Sequence, residues 1–97
     1  MIPNVRLTDR AELDLHEARR WYRENAPHVD QRFRQSVRET LRRIGNRPVL
    51  YPVVHRDIRH APVRRFPYSV FYRFVGETAL IVAIVHQARN PETWKGR

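Results

Sequence analysis

The sequence predicts a two-layer α+β fold: an N-terminal strand, then an antiparallel helix hairpin packed on a mainly antiparallel sheet, in the order β-α-α-β-β-β. Three observations carry that prediction. Apolar residues recur at helical spacing in two separate stretches before residue 45. After about residue 57 their period changes to two. Finally, Ala79 to Val85 is an unbroken apolar run, as expected of a strand covered on both faces. The 97 residues fit one domain spanning 1–97 with a single modest core.

Each element has its own signal. Val5-Arg6-Leu7 after Pro3 reads as a short strand. Thr8 or Asp9 caps the first helix, and Asp9 with Glu12 resembles a capping box. Ala11, Leu15, Ala18 and Tyr22, with Trp21 beside them, form the apolar stripe of that helix. Pro27 disfavours helix at Ala26 and breaks the run. A second helix spans about Val29 to Ile44, burying Phe33, Val37, Leu41 and Ile44, with Gly45 suited to a left-handed residue past its end. The short connection makes the two helices an antiparallel hairpin.

A proline-punctuated loop, Arg47 to Pro52, leads to the strands. Ile58 to Phe66 reads as a strand interrupted near Pro62, which demands an edge or a bulge. In the next strand Tyr68, Val70, Tyr72 and Phe74 share one face, and Ser69, Phe71, Arg73 and Val75 the other. Gly76-Glu77-Thr78 is a tight hairpin turn into Ala79 to Val85. Asn90 to Trp94 forms a short helical turn with Pro91 near its start.

Composition excludes several functions. No cysteine means no disulfide scaffold, thiolate metal site or cysteine nucleophile. Three scattered glycines rule out a phosphate-cradling nucleotide loop. No apolar run approaches the roughly 20 residues of a membrane-spanning helix, and the first residues carry no signal-peptide core, so a cytoplasmic protein is expected. The formal charge is +9, and all of the excess lies after residue 24, because residues 1–24 carry five cations and five anions. Eighteen of the nineteen cations are arginine, whose planar fork suits carboxylate or phosphate. Codon bias is an alternative source of the Arg/Lys ratio, but explains the net charge less well. An anionic partner is implied, either nucleic acid or an acidic protein.

Few residues could carry chemistry. His55 and His60 flank Asp57, but in a loop and an edge strand, where solvated or locally bonded histidines are expected and no metal is. His86 follows the buried strand and is followed by Arg89. It could act as an acid or base in RNA cleavage, or simply bond backbone at the strand end. Arg64 and Arg65, read as strand neighbours, should face opposite sides, one of them pairing with Asp14 or Glu17. Trp94 is either a stacking platform beside Arg89 and Lys95 or an anchor for the tail, with the anchor favoured.

Several segments together resemble the RelE/ParE superfamily of bacterial toxin–antitoxin toxins. They are Ala11 to Leu15 with Ala18 and Trp21-Tyr22; Phe33 with Val37, Leu41 and Ile44; Val63-Arg64-Arg65-Phe66-Pro67-Tyr68 running to Tyr72; and His86-Gln87-Ala88-Arg89-Asn90-Pro91 with Trp94. The Arg-Arg-Phe-Pro-Tyr run and the His-x-x-Arg-x-Pro segment are similar to the ParE-like branch in particular. The resemblance implies a toxin, associated with plasmid stabilization, that needs no cofactor and is held by a cognate antitoxin with an acidic tail, meeting DNA only through it. It implies a ParE-like inhibitor of DNA gyrase without a recognised hydrolytic site. The alternative is a RelE-like endoribonuclease acting on mRNA in the ribosome, with His86, Arg65 and Arg89 as catalytic candidates. Ser69 replaces the arginine that such nucleases carry in this strand, and the lysine cluster before it is missing. On the ParE-like reading Arg59, Arg65, His86, Arg89 and Trp94 face the target, and Leu15, Trp21, Tyr22, Phe33 and Val37 receive the antitoxin. A nucleic-acid-binding domain with neither activity is the third possibility, with steeply salt-dependent binding to duplex DNA as its mark.

Overall fold

A computed structural model describes residues 2–97. The elements run β1 (Val5–Leu7), α1 (Asp9–Asn25), α2 (Pro27–Asn46), β2 (Val53–His55), β3 (Ile58–Pro62), β4 (Tyr68–Val75), β5 (Thr78–His86) and α3 (Glu92–Lys95). The five strands form one sheet in the order β1-β5-β4-β3-β2. β1 lies parallel to β5, and every other pairing is antiparallel. The helix hairpin covers one face, as the sequence predicts.

The hairpin forms where its chemistry directs. Thr8, in extended backbone, caps α1 by accepting the Ala11 amide at 3.1 Å. Asp9 and Glu12 therefore lie inside the first turn and favour the helix dipole there, in place of the expected Asp9–Glu12 capping box. Ala26 alone separates the helices, and Pro27 opens α2 two residues before the expected Val29. Arg19 grips both carboxylate oxygens of Asp30, at 3.3 and 3.2 Å, and so ties the helices together. An aromatic cluster fastens the hairpin to the sheet: Phe33 lies 4.7 Å from Tyr22, 5.0 Å from Tyr68 and 5.2 Å from Phe66, centroid to centroid.

β4 keeps the expected alternation. Val70 and Tyr72 are buried under the helices, and Phe71 belongs to a second core on the opposite face. β5 changes phase. Phe71 pairs with Ala83 and Tyr72 with Ile81, which leaves Val82 as an extra residue in a bulge. Ala79, Ile81 and Ile84 consequently join the helix-side core, while Val82, Ala83 and Val85 join the second one. Both faces of β5 are thus covered, which is why its sequence shows no alternation.

Three expectations are corrected. An additional strand, β2, precedes β3, so four strands follow the hairpin. The strand expected over Ile58 to Phe66 ends at Pro62, and residues 63–67 form a turn closed by the Val63 amide on the Tyr68 carbonyl at 2.9 Å. Gly45 is not a left-handed terminator but lies within α2. A Cβ there would stand 2.8 Å from the Pro3 carbonyl oxygen and 3.1 Å from Val5 Cγ2. The glycine lets the segment entering β1 lie against the helix.

That contact makes a prediction. Alanine normally favours a helix interior over glycine by about 1 kcal/mol. At position 45 the clash with main chain should outweigh that gain, so Gly45→Ala lowers the Tm by several degrees, equivalent to about 1–2 kcal/mol. Thermal unfolding followed by circular dichroism checks the sign; a raised Tm would show that propensity wins.

Candidate partner-binding site

The site is built at the end of the sheet where β4 begins and β5 ends. Tyr68 pairs with His86 there. The Gln87 amide donates to the Pro67 carbonyl at 2.8 Å, which locks the turn before β4 to the turn after β5. Arg64, Arg65 and Arg89 are therefore carried on two linked turns, and His86 on the last residue of β5, at one end of a rigid sheet.

His86 bonds backbone. Its Nδ1 accepts the Ala88 amide at 3.0 Å, and its ring meets Tyr68 edge to face at 5.3 Å. An Nδ1 that accepts an amide leaves the ring proton on Nε2, so this arrangement offers a donor there. Both Arg64 and Arg65 are exposed, and Arg65 has a φ of 69°. The expected opposition of the pair fails because the segment is a turn rather than a strand. Neither pairs with Asp14 or Glu17.

Asp14 instead closes the open side of β5. β1 pairs only with Ala79 to Ile81, so the remainder of β5 has no strand neighbour on that side. Asp14, 8% exposed, accepts the Ile84 amide at 3.1 Å and pairs with Arg97, which also donates to the Val82 carbonyl at 3.2 Å. Arg73 in turn donates to the Arg97 carbonyl at 3.1 Å. Asp14 lies three residues after Ala11 and four before Ala18, on the apolar stripe of α1, and a carboxylate at that spacing is the sequence signal for this role.

The second sheet face is not bare. α3 lays Trp94, 8% exposed, flat on Phe71 with centroids 3.9 Å apart and planes at 13°. Trp94 is therefore an anchor, the favoured reading. Beside it lies a cavity of about 330 Å³, walled by Val54, Phe71, Val85 and Trp94, with His60, His86 and Arg89 supplying polar edges. His60 stacks on Phe71 at 5.1 Å and contacts Ser69 Oγ through Nε2 at 2.7 Å. Burial pulls the His60 pKa below its ordinary value. Among the described residues no group of three or more His, Asp or Glu is placed to hold a metal ion.

On the helix side, a smaller hollow of about 170 Å³ runs between α1 and the end of β5, bounded by Glu17, Ala18, Trp21, Ile84 and His86. Of the residues expected to receive an antitoxin, Trp21 is 54% exposed at this hollow, and Leu15 is half-buried. Phe33 and Val37 are buried in the core, whereas Tyr22, largely buried, still reaches a further hollow lined by Trp21, Pro67, Tyr68 and His86. Arg59 also falls away from the site. It pairs in register with Tyr72, at the far end from His86, donates to the Tyr51 carbonyl at 2.6 Å and lies 5.7 Å from the Phe74 ring centroid.

The basic surface is not neutralised from within. Twelve of the eighteen arginines, Arg65 and Arg89 among them, form no ion pair among the described residues. Nor is any helix among them long and apolar enough to cross a membrane.

The family model described as "ParE toxin of type II toxin-antitoxin system, parDE" matches residues 5–91, and the chain belongs to that family. Among solved structures it is similar to one described as "Chromosomal ParDE TA system from P. aeruginosa", with 19% identity over 88% of this chain and 96% of that chain and a TM-score of 0.76. At that identity the likeness establishes the fold. Among curated proteins, none matches the sequence. Membership of the family implies an antitoxin partner.

The environment of His60 predicts a pH dependence. The folded state disfavours the imidazolium, so its contribution is fully present above the ordinary value near 6.5 and is lost as pH falls through that value to the depressed one. Urea unfolding at about pH 7.5 and about pH 5 should show a smaller stability loss on acidification in His60→Gln than in the parent. Equal losses would remove His60 from the acid response.

Proposed function

We infer that this protein is a ParE-like toxin that inhibits DNA gyrase by protein–protein contact and is neutralised by its cognate antitoxin. The observation that carries the reading is the family match over residues 5–91. The geometry is compatible with it. Arg65 and Arg89 stand on two linked turns and His86 on the last residue of β5, with Trp94 holding the adjoining wall, and this end presents cations without internal partners to a target. The antitoxin's acidic segment lies along α1 and the end of β5, where Trp21 is exposed and the hollow is lined by apolar and polar groups together.

A RelE-like endoribonuclease is the second reading, favoured by the gathering of His86, Arg65 and Arg89 at one end. Ser69 weighs against it. The position where such nucleases carry an arginine is here a buried serine bonded to His60, which places no cation on that part of the face. His86 also spends Nδ1 on backbone.

Induction of the protein without its antitoxin separates the readings. Gyrase inhibition should produce DNA breaks and a DNA-damage response while transcripts remain intact. Codon-phased cuts in translated mRNA, abolished by His86→Ala, would reverse the assignment.

The antitoxin contact makes its own prediction. Trp21→Ala should weaken antitoxin binding about tenfold or more, because an exposed tryptophan at a hollow has the character of an interface anchor. Calorimetric titration of the purified pair reads this directly. Unchanged affinity would move the antitoxin away from α1.

A further inference from the structure

The cavity on the second sheet face adjoins the hollow along α1, sharing Val85, His86 and Arg89 with it, but its other walls are different. Its walls are apolar: Val54, Phe71, Val85 and Trp94. Arg89 is the charged side chain that reaches it, beside His60 and His86, and among the described residues no carboxylate lines it. Arg89 is exposed and forms no ion pair among the described residues. Its volume of about 330 Å³ is at the small end for a ligand site and fits a single aromatic or branched side chain.

We propose that this cavity is a recognition pocket for an acidic protein segment, which inserts one aromatic or branched apolar side chain against Val85 and Trp94 and sets a neighbouring carboxylate on Arg89. Charge complementarity selects the occupant. A guanidinium with no carboxylate beside it, set at the edge of an apolar floor, rejects a basic or purely apolar segment and favours one that combines an apolar anchor with acid. The walls are ready-made. Trp94 is already stacked on Phe71, and His60 is held by Phe71 and Ser69, so little ordering is needed when the anchor enters. The proposal deepens the reading of this end of the sheet as the target-facing one and rests on it, but it concerns binding by the isolated protein, whatever the target's identity.

The test uses the full chain and NMR titration. The probe is the pentapeptide acetyl-Asp-Glu-Phe-Glu-Asp-amide, with two analogues: one carrying alanine in place of phenylalanine, the other Asn and Gln in place of the acids. The acidic peptide should shift the Val54 and Val85 methyl signals and the Trp94 indole N–H. Either analogue, or Arg89→Ala in the protein, should weaken binding about tenfold. Arg89 is exposed, so its loss leaves the fold intact, and an unchanged spectrum outside the cavity confirms this. Three results would overturn the proposal: no shifts at the cavity, equal binding of the uncharged analogue, or 3-phenylpropionate binding as tightly as the peptide, which would make this a small-acid site. DNA breakage on induction is scored separately, so failure of the pocket and failure of the gyrase reading remain distinguishable.

Discussion

Asp14 is the residue on which the arrangement depends. β1 is too short to cover β5, and the uncovered half of a central strand would leave main-chain groups without partners. A carboxylate from α1 takes the Ile84 amide, and the Arg97 guanidinium takes both that carboxylate and the Val82 carbonyl. One side-chain pair thus joins the first helix, the central strand and the end of the α3 segment. Burying such a pair is costly unless its remaining hydrogen bonds are satisfied, and here main chain satisfies them.

The consequences reach both faces. On the helix side, the pin sets how far α1 stands from the end of β5 and so leaves the hollow beside Trp21. On the other side, it holds the segment that lays Trp94 on Phe71 and gives the apolar cavity its wall. The bulge at Val82 makes this possible, because it turns Ile84 toward the helices while Val85 faces the cavity. A sheet end of this kind is rigid enough to hold cations apart from any internal counter-charge, and that separation makes the protein electrically incomplete by itself.

Much of this was legible in the sequence, for physical reasons. The helix stripes through Ala11, Ala18 and Tyr22 and through Phe33, Val37 and Ile44 are periodic over several turns, and burial follows period. β4 alternates because its two faces meet different layers, and β5 does not because both faces are covered. β2 was not legible. Three residues, with Val53 and Val54 both exposed, carry no pattern that separates strand from loop. Arg64 and Arg65 misled because the alternation rule holds only in a strand, and the strand stops at Pro62. The Asp14–Arg97 pair spans nearly the whole chain, and no local period can report a contact of that range. Tyr22, Phe33 and Val37 announced an apolar surface, but the sequence alone does not say whether the chain or a partner covers it.

The most direct measurement is native-state hydrogen exchange on Arg97→Ala compared with the parent. If the pin organises this end of the molecule, amides of Thr93 to Lys95 and of Ile84 should exchange about tenfold faster or more, while those of Phe33 and Val37 in the hairpin stay unchanged. Unaltered protection of Ile84 and of the α3 turn would show that the edge and the Trp94 wall hold without Arg97, and the account would fail at its base.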